Sequence, residues 1–329
     1  MGFTRSGAGD TSSPVEQIER CNLCGGSRFA LFAEVPGQKT KRLFRIVTCE
    51  TCSLMFVAPR LSASENTALY DEAYFNGKGF DGSVNYVMFD EAPDTRSDEN
   101  LGILGKLAVL KPGRHVRVLD MGCGTGCLLR ALREAGYDDV WGVELSTYAA
   151  ARARSVEGAK VFTGDILDVD LPLASFDVIN ATEVIEHLRD PRASFQRIES
   201  LLAPGGVFIY STGNAHGIYA RVLGKRWPYL HPEGHLFYFN PETLTRYFRE
   251  VGLLPAPFTE LDPSRRDAYL RAEDQMAHSM LQYIGAGDKG MKARIFRTVA
   301  ALDHPIVQRA VTRVVGKHWL PVAVKPGVS

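Results

Sequence analysis

Four of the six cysteines in this chain of 329 residues form two Cys-x-x-Cys pairs. The pairs are Cys21 with Cys24 and Cys49 with Cys52, separated by residues 25–48. Two such pairs that face each other form a tetrahedral sulfur site that suits Zn²⁺. A redox dithiol or two disulfides are the alternatives, but a redox Cys-x-x-Cys normally follows a strand and opens a helix, and neither pair here does. We therefore predict a zinc ribbon over residues 19–58. An ion with four thiolate ligands has no open coordination position, so it would stabilise the ribbon and take no part in catalysis.

A second chemical motif is a glycine-rich loop between an apolar strand and a helix. The strand is Val116–Leu119, the loop is Asp120–Gly126, and the helical run is Cys127–Ala135. A strand, a glycine-rich turn and a helix N-terminus together form the general nucleotide-binding unit. A dinucleotide fingerprint requires glycine at position 127, where this chain has Cys127, and the carboxylate of Asp120 would repel a pyrophosphate. The loop therefore disfavours a dinucleotide.

From this loop onward the chain resembles the class I S-adenosylmethionine-dependent methyltransferases, over roughly residues 100–260. The segments that carry the resemblance are Val118–Gly126, Trp141–Ser146, Phe162–Ile166, Phe176–Ala181 and Leu202–Ile209. They look like the family's first three motifs, its fourth strand and the turn into its fifth. The resemblance implies an α/β fold with a Rossmann-like seven-stranded sheet, and S-adenosylmethionine as the cofactor.

The resemblance also implies the cofactor site. In that family the acidic residue at the end of strand two holds the ribose hydroxyls, which is the role implied for Glu144. Asp165 would lie near the adenine amino group and Ile166 against the adenine ring. The implied cofactor residues are Asp120, Gly122, Gly124, Gly126, Glu144, Leu145, Asp165, Ile166 and Thr182.

Glu183, Glu186 and His187 follow predicted strand four, where open α/β sheets bind their ligands. Their spacing of i, i+3 and i+4 places them on one face if the segment is helical. Three interpretations stay open: packing against the cofactor, a general base at His187 supported by Glu186, or a Mg²⁺ site. The pattern is similar to that of ubiquinone-biosynthesis O-methyltransferases and small-RNA 2′-O-methyltransferases, where it is associated with a divalent ion.

A partner histidine is available after predicted strand five, in the aromatic stretch Trp227–Phe239. His235 is the first choice and His231 the second, with an exposed loop histidine as the alternative for both. The catalytic candidates are therefore His187, His235 and Glu186. The candidate ligands of a divalent ion are Glu183, Glu186, His187 and His235.

The elements that would hold these residues divide the chain into four parts. We expect a disordered N-terminus over residues 1–18, the ribbon over 19–58, linker or lid helices over 59–105 and the methyltransferase domain over 106–329. The third part contains a helical stretch, Ser64–Phe75. Four aromatic residues of this third part either close over the cofactor as a lid or belong to a linker packed on the sheet. They are Tyr70, Tyr74, Phe75 and Tyr86.

The end of the methyltransferase domain is predicted to contain a helix over Pro241–Gly252 with Asn240 as its N-cap. Strand six is expected near Ala256–Leu261 and the last strand over Leu320–Lys325. Residues 262–318 would then be a helical insertion between these two strands.

The composition is that of an ordinary globular protein, with 45% hydrophobic residues and 38 basic against 38 acidic side chains. The zero net charge hides two basic regions. Residues 19–60 carry seven Lys or Arg against three Asp or Glu, and residues 285–329 carry eight against two. Because the chain shows neither a signal-peptide pattern nor 18 consecutive apolar residues, we expect a cytoplasmic protein without a transmembrane segment.

The leading functional hypothesis is transfer of a methyl group from S-adenosylmethionine to a hydroxyl of a small molecule, such as a sugar or a secondary metabolite. The ribbon is similar to the N-terminal module of sugar C-methyltransferases, so carbon methylation is an alternative. A second alternative is an RNA-modifying methyltransferase that uses the ribbon as its reader, although a nucleic-acid partner is disfavoured. A homodimer is left open.

Overall fold

The structure of the chain is a computed structural model that describes residues 15–79, 85–87, 98–256 and 322–327. Its first strands are β1 (Val15–Glu16), β2 (Phe29–Pro36), β3 (Leu43–Cys49), β4 (Met55–Val57) and β5 (Arg60–Leu61). β2, β3 and β4 pair as antiparallel neighbours, while β1 pairs with β5. The register of β2 on β3 places Phe29 opposite Cys49. This pairing brings the second cysteine pair close to the first, which directly precedes β2.

The α-helices in the described residues are α1 (Ala63–Thr67), α2 (Glu72–Phe75), α3 (Asp98–Leu110), α4 (Cys127–Glu134), α5 (Thr147–Ala153), α6 (Pro191–Leu201), α7 (Ile218–Leu223) and α8 (Pro241–Val251). The predicted stretch Ser64–Phe75 is therefore two short helices. Each has its own cap, because the side chain of Ser62 accepts from the backbone N–H of Glu65 and that of Asp71 accepts from Tyr74.

The remaining strands are β6 (Val118–Met121), β7 (Val140–Glu144), β8 (Ala159–Thr163), β9 (Phe176–Thr182), β10 (Leu202–Ser211), β11 (Phe237–Tyr238), β12 (Leu254–Ala256) and β13 (Val322–Val324). Seven of them form one mixed sheet in the order β12-β13-β10-β9-β6-β7-β8. β13 is antiparallel to both neighbours, and the other pairs are parallel. The predicted seven-stranded α/β sheet is confirmed.

An aromatic core holds α6 and α8 against the parallel pair β9 and β10. Phe195 of α6 and Phe248 of α8 are fully buried, with ring centroids 5.0 Å apart. As predicted, Asn240 caps α8, since its side chain accepts from Thr243. Gly252 ends the helix in the left-handed conformation with φ 89°, which glycine adopts without strain.

Strand six begins slightly earlier than expected, because β12 covers Leu254–Ala256. The rest of the predicted strand and the insertion over residues 262–318 lie outside the described residues, as do residues 1–14 of the N-terminus expected to be disordered. Residues 15 and 16 of that N-terminus form β1, which pairs with β5. The last strand is found where it was predicted, as β13. Within the described residues, no helix is long and apolar enough to cross a membrane.

The ribbon sheet shares a strand with the rest of the chain. β11 pairs with β4, placing Phe237 opposite Phe56 and Tyr238 opposite Met55. The four-stranded ribbon sheet therefore has the order β11-β4-β3-β2. The ribbon is built into the methyltransferase part through the segment that follows predicted strand five.

Candidate active site and cysteine cluster

The four ribbon cysteines form one cluster. The Sγ atoms of Cys21 and Cys52 lie 3.5 Å apart, as do those of Cys24 and Cys49. All four sulfurs lie within 4.8 Å of one another. The 3.5 Å separations are far longer than the roughly 2 Å bond of a disulfide. The arrangement is compatible with a zinc ribbon, because four thiolates at these separations can surround one tetrahedral ion.

The glycine loop after β6 needs its glycines for two steric reasons. Gly122, Gly124 and Gly126 all have positive φ, at 72°, 54° and 94°. A Cβ at Gly122 would lie 2.5 Å from a methyl carbon of Val184, so a side chain there would collide. At Gly124 a Cβ would meet only Phe75, at 3.9 Å. The loop therefore leaves an open approach to its backbone, as a bound nucleotide requires.

Two acidic side chains flank this loop at the carboxyl ends of β6 and β7. The carboxylate of Glu144 is buried and accepts from the backbone N–H groups of Gly124, at 2.9 Å, and Ser146, at 2.7 Å. Burial raises the pKa of Glu144 despite these donors. Asp120 accepts from the side-chain amide of Asn180 at 2.8 Å. Both acids thus sit beside the loop, fixed by hydrogen bonds.

The other predicted cofactor residues lie along the same edge of the sheet. Thr182 ends β9, and its hydroxyl donates to Asn180 at 3.0 Å. Leu145 follows β7 directly and is half-buried, whereas Ile166 is buried after β8. Asp165 accepts from the backbone of Leu167 at 2.9 Å. Together with the glycine loop, these residues lie at the carboxyl ends of β6, β7, β8 and β9, where the sequence predicts the cofactor site.

The aromatic residues of α2 and its surroundings lie over the glycine loop. Phe75 contacts Tyr74, Tyr86 and Tyr148 edge-on or tilted, with centroids 5.0–6.1 Å apart. The backbone carbonyl of Tyr70 accepts from the Ser146 hydroxyl at 2.7 Å, next to Glu144. These contacts place the segment beside the loop, and both the lid and the linker interpretation stay predictions.

The Glu183–His187 segment does not form the predicted α-helical face. Only Ile185–His187 form a short 3₁₀ turn, and Glu183 precedes it with φ 53°. The two glutamates nevertheless meet at one hydroxyl, that of Tyr229. It donates to Glu186 Oε1 and lies 3.4 Å from Glu183 Oε2. Long-range packing, rather than helical periodicity, brings the two carboxyl groups together.

Glu186 is the most buried acid of the site, at 0% exposure. Its Oε2 atom has no hydrogen-bond partner among the described residues. Burial, together with the neighbouring charge of Glu183, raises the pKa of Glu186 to about 8. A buried carboxyl group in this state is suited to hold a proton or to face a cation.

His187 and His235 are brought together, as predicted. Their ring centroids lie 4.8 Å apart. Nδ1 of His187 lies 3.0 Å from the carbonyl of Gly234 and 2.9 Å from the Tyr70 hydroxyl, and Nδ1 of His235 lies 2.8 Å from the carbonyl of Tyr229. A carbonyl oxygen can only accept, so in the neutral form of each imidazole Nδ1 carries the proton and Nε2 has the lone pair.

Three of the four predicted ion ligands form a group that could hold a metal. They are Glu186, His187 and His235, with ligand atoms within 4.8 Å of one another. Glu183 lies outside this group, and its Oε1 atom accepts from Ser211 at 3.0 Å. His231, the second-choice histidine, packs its ring edge-on against His235 at 5.3 Å.

Sequence reasoning missed Tyr229 and Glu233, both in the Trp227–Phe239 stretch. Tyr229 joins the two glutamates, as described above. Glu233 is buried and accepts from the backbone N–H groups of Lys39 and Thr40 in the ribbon. The aromatic and histidine-rich composition of the stretch marks it as a site segment, but the contacts of Glu233 cross about 190 residues of sequence.

Comparison with known proteins finds methyltransferases. A family model described as a methyltransferase domain matches residues 90–254. A ubiquinone biosynthesis O-methyltransferase of Aromatoleum aromaticum is 32% identical over 168 residues, which are 47% of this chain and 67% of that protein. One of Paraburkholderia phymatum is 31% identical over 178 residues, or 50% of this chain and 76% of that protein.

A solved S-adenosylmethionine-dependent methyltransferase of Mesorhizobium loti is 21% identical, with a TM-score of 0.40, and the match covers 53% of this chain and 92% of that one. The family model and the two sequence relatives establish the class: this chain belongs to the methyltransferase-domain family. It is an S-adenosylmethionine-dependent methyltransferase.

Proposed function

We propose that the chain methylates a hydroxyl group of a small molecule and that His187 accepts the proton of that hydroxyl. The single observation that carries the proposal is the contact between Nδ1 of His187 and the Gly234 carbonyl. It leaves Nε2 of His187 as the acceptor, on a side chain that is 19% exposed. Both sequence relatives reported above are named O-methyltransferases, which supports the same acceptor chemistry.

The cofactor would be held by the residues around the glycine loop. Glu144 would accept hydrogen bonds from ribose hydroxyls, and the open backbone at Gly124 would give the ligand a close approach. When bound, S-adenosylmethionine supplies an already activated methyl group on a sulfonium. The protein's own contribution is therefore alignment of the acceptor and removal of its proton, and alignment can supply about 7–11 kcal/mol.

Glu186 supports the imidazole in this scheme. Its Oε1 atom lies 4.0 Å from Nε2 of His187, so the ionised form of Glu186 would stabilise the cation that forms when the imidazole takes up a proton. Tyr70 lies on the other side, with its hydroxyl at Nδ1 of His187 and its backbone bonded to Ser146 beside Glu144. Tyr70 thereby links the cofactor edge to the proposed base.

A divalent ion at Glu186, His187 and His235 is the second candidate role for this group. The buried Oε2 of Glu186, which has no hydrogen-bond partner among the described residues, favours it. Two imidazoles and one carboxylate suit a transition ion better than Mg²⁺, which prefers oxygen ligands. Such an ion would acidify the acceptor hydroxyl. Added Mn²⁺ should stimulate turnover after chelation if this role holds, and Mg²⁺ should do less.

The cysteine cluster is proposed to hold one structural Zn²⁺. An RNA-reading role for the ribbon is less well supported, since four of the seven cations in residues 19–60 form ion pairs within the protein. These four pairs are Arg28–Glu50, Lys39–Asp71, Arg42–Glu65 and Arg60–Glu16. Their charge is already balanced and is less available for phosphates.

The test of the proposed function uses S-adenosylmethionine with a labelled methyl group. The acceptor probes are a catechol, a nucleoside-diphosphate sugar, total transfer RNA and a metabolite extract. We expect label in a small-molecule product, with mass spectrometry placing the methyl group on oxygen. A methyl group on carbon or on RNA would overturn the proposal, and so would the absence of transfer to every probe.

A further inference from the structure

The loop between β2 and β3 of the ribbon closes around the side chain of Glu233. The backbone N–H of Thr40 donates to Glu233 Oε1 at 2.6 Å, and that of Lys39 donates to Oε2 at 2.9 Å. Glu233 is 1% exposed. A Cβ on Gly37 would lie 2.5 Å from the carboxyl carbon of Glu233, so a side chain at this loop position would have to displace the glutamate. The hairpin loop therefore binds the Glu233 carboxylate through two backbone N–H groups and packs closely around it.

The backbone around Glu233 is held at the same time. The side chain of Asn66 donates to the Glu233 carbonyl at 3.0 Å, and this amide is buried. Three residues further on, Leu236 donates its N–H to the carbonyl of Glu186 at 2.8 Å. The carbonyl of Leu236 in turn accepts from Val57 of β4 at 3.0 Å. The segment is thus clamped between the ribbon and the 3₁₀ turn that contains Glu186.

Gly234, the residue after Glu233, supplies the carbonyl that faces Nδ1 of His187. Which imidazole nitrogen carries the proton is set by the partner of the other nitrogen. A shift of this carbonyl would allow the Tyr70 hydroxyl, 2.9 Å from the same Nδ1, to donate to it instead. Nε2 would then carry the proton and could neither accept one nor bind a metal.

We propose that Glu233 is a positioning residue through which the ribbon loop over residues 37–42 keeps the Gly234 carbonyl on His187 and so holds the neutral imidazole in the tautomer with its proton on Nδ1. The ribbon then supports the position of the Gly234 carbonyl rather than forming a separate module. This inference rests on the proposed role of His187. It applies equally whether Nε2 accepts a proton or binds a metal.

The test reads the tautomer of His187 directly, by ¹⁵N NMR of protein labelled at its eight histidines. His187→Asn assigns the signal, and spectra are recorded above neutral pH without added divalent ions. We expect the native protein to show a protonated Nδ1. Glu233→Ala should move the His187 nitrogen shifts toward a mixture of both tautomers, and Glu233→Gln, which keeps one acceptor oxygen, should move them less. Gly37→Ala disrupts the same contact from the ribbon side and should have the same effect on the His187 shifts as Glu233→Ala.

A matched control removes a different contact between the ribbon and the rest of the chain. The Tyr247 hydroxyl donates to the side chain of Asn22 at 2.8 Å, so Tyr247→Phe loosens the ribbon without touching Glu233. Its His187 shifts should stay native. Unchanged shifts in Glu233→Ala and Gly37→Ala, or an equal change in Tyr247→Phe, would overturn the inference. Full turnover of His187→Asn would instead refute the proposed base while leaving this positioning result intact.

Discussion

Nε2 of His187 lies 4.0 Å from Oε1 of Glu186, a carboxyl group with no exposed surface. The two groups come from adjacent residues of a short 3₁₀ turn, yet their environments differ. The imidazole retains 19% exposure, whereas the carboxyl group is sealed beneath it against Tyr229. Because of this difference in exposure, the His187 imidazole can reach an acceptor, whereas the Glu186 carboxyl group can act only through the imidazole.

Glu186→Gln should make the protein more stable at high pH. Burial, with the charge of Glu183, raises the pKa of Glu186 from 4.5 to about 8. Between these pH values the unfolded chain releases the proton while the folded protein keeps it, so folding is penalised increasingly as the pH rises. Each pH unit between the two pKa values costs the folded protein about 1.4 kcal/mol, so the difference above pH 8 should reach a few kcal/mol.

The measurement for this variant is urea unfolding between pH 5 and 9, with a chelator present so that no ion neutralises the carboxylate. The gap between Glu186→Gln and the native protein should widen with pH and then level off. Glu34→Gln, at an exposed position of β2, serves as the control and should show no such trend. A constant gap across the range would contradict the assignment.

His187→Asn should lower turnover by about 10²–10⁴-fold, the range that general base catalysis contributes. Affinity for S-adenosylmethionine should change little, because His187 contacts Tyr70 and Gly234 rather than the glycine loop. Steady-state kinetics and calorimetric titration with the cofactor separate the two effects. His115, with a side chain that is 91% exposed before β6, provides the control variant His115→Asn. Native turnover in His187→Asn would remove the imidazole from the reaction.

Glu144→Gln should weaken cofactor binding by about 10–100-fold. The buried carboxylate accepts two backbone N–H bonds, and an amide would point a donor at one of them. Hydrogen bonds to a charged group contribute about 1.5–3 kcal/mol each, which sets this range. Calorimetry with S-adenosylhomocysteine measures the loss, and Glu157→Gln at an exposed position is the control. Equal affinity of the two variants would show that Glu144 does not hold the ligand.

The features that could be predicted from the sequence are those encoded over short distances. The glycine loop, the cap at Asn240 and the two cysteine pairs each depend on residues a few positions apart. The helical face expected for Glu183, Glu186 and His187 does not form, because Glu183 has a positive φ and the segment is not an α-helix. The contact of Glu233 with the ribbon could not be predicted, because a single acidic residue in a loop does not indicate which distant residues it will bind.

Cys24→Ser should abolish zinc binding and destabilise the whole chain, not the ribbon alone. Cys24 contributes one of four sulfurs that lie within 4.8 Å of one another, and a structural zinc supplies on the order of 10 kcal/mol to such a small fold. Because β11 completes the ribbon sheet, loss of the ion should also loosen the segment that carries His235. We expect about one zinc per native chain by elemental analysis, almost none in Cys24→Ser, and a clearly lower melting temperature. Cys127→Ser, outside the cluster and half-buried at the start of α4, should keep both zinc and stability. If the two serine variants hold equal zinc, the four cysteines do not form the metal site.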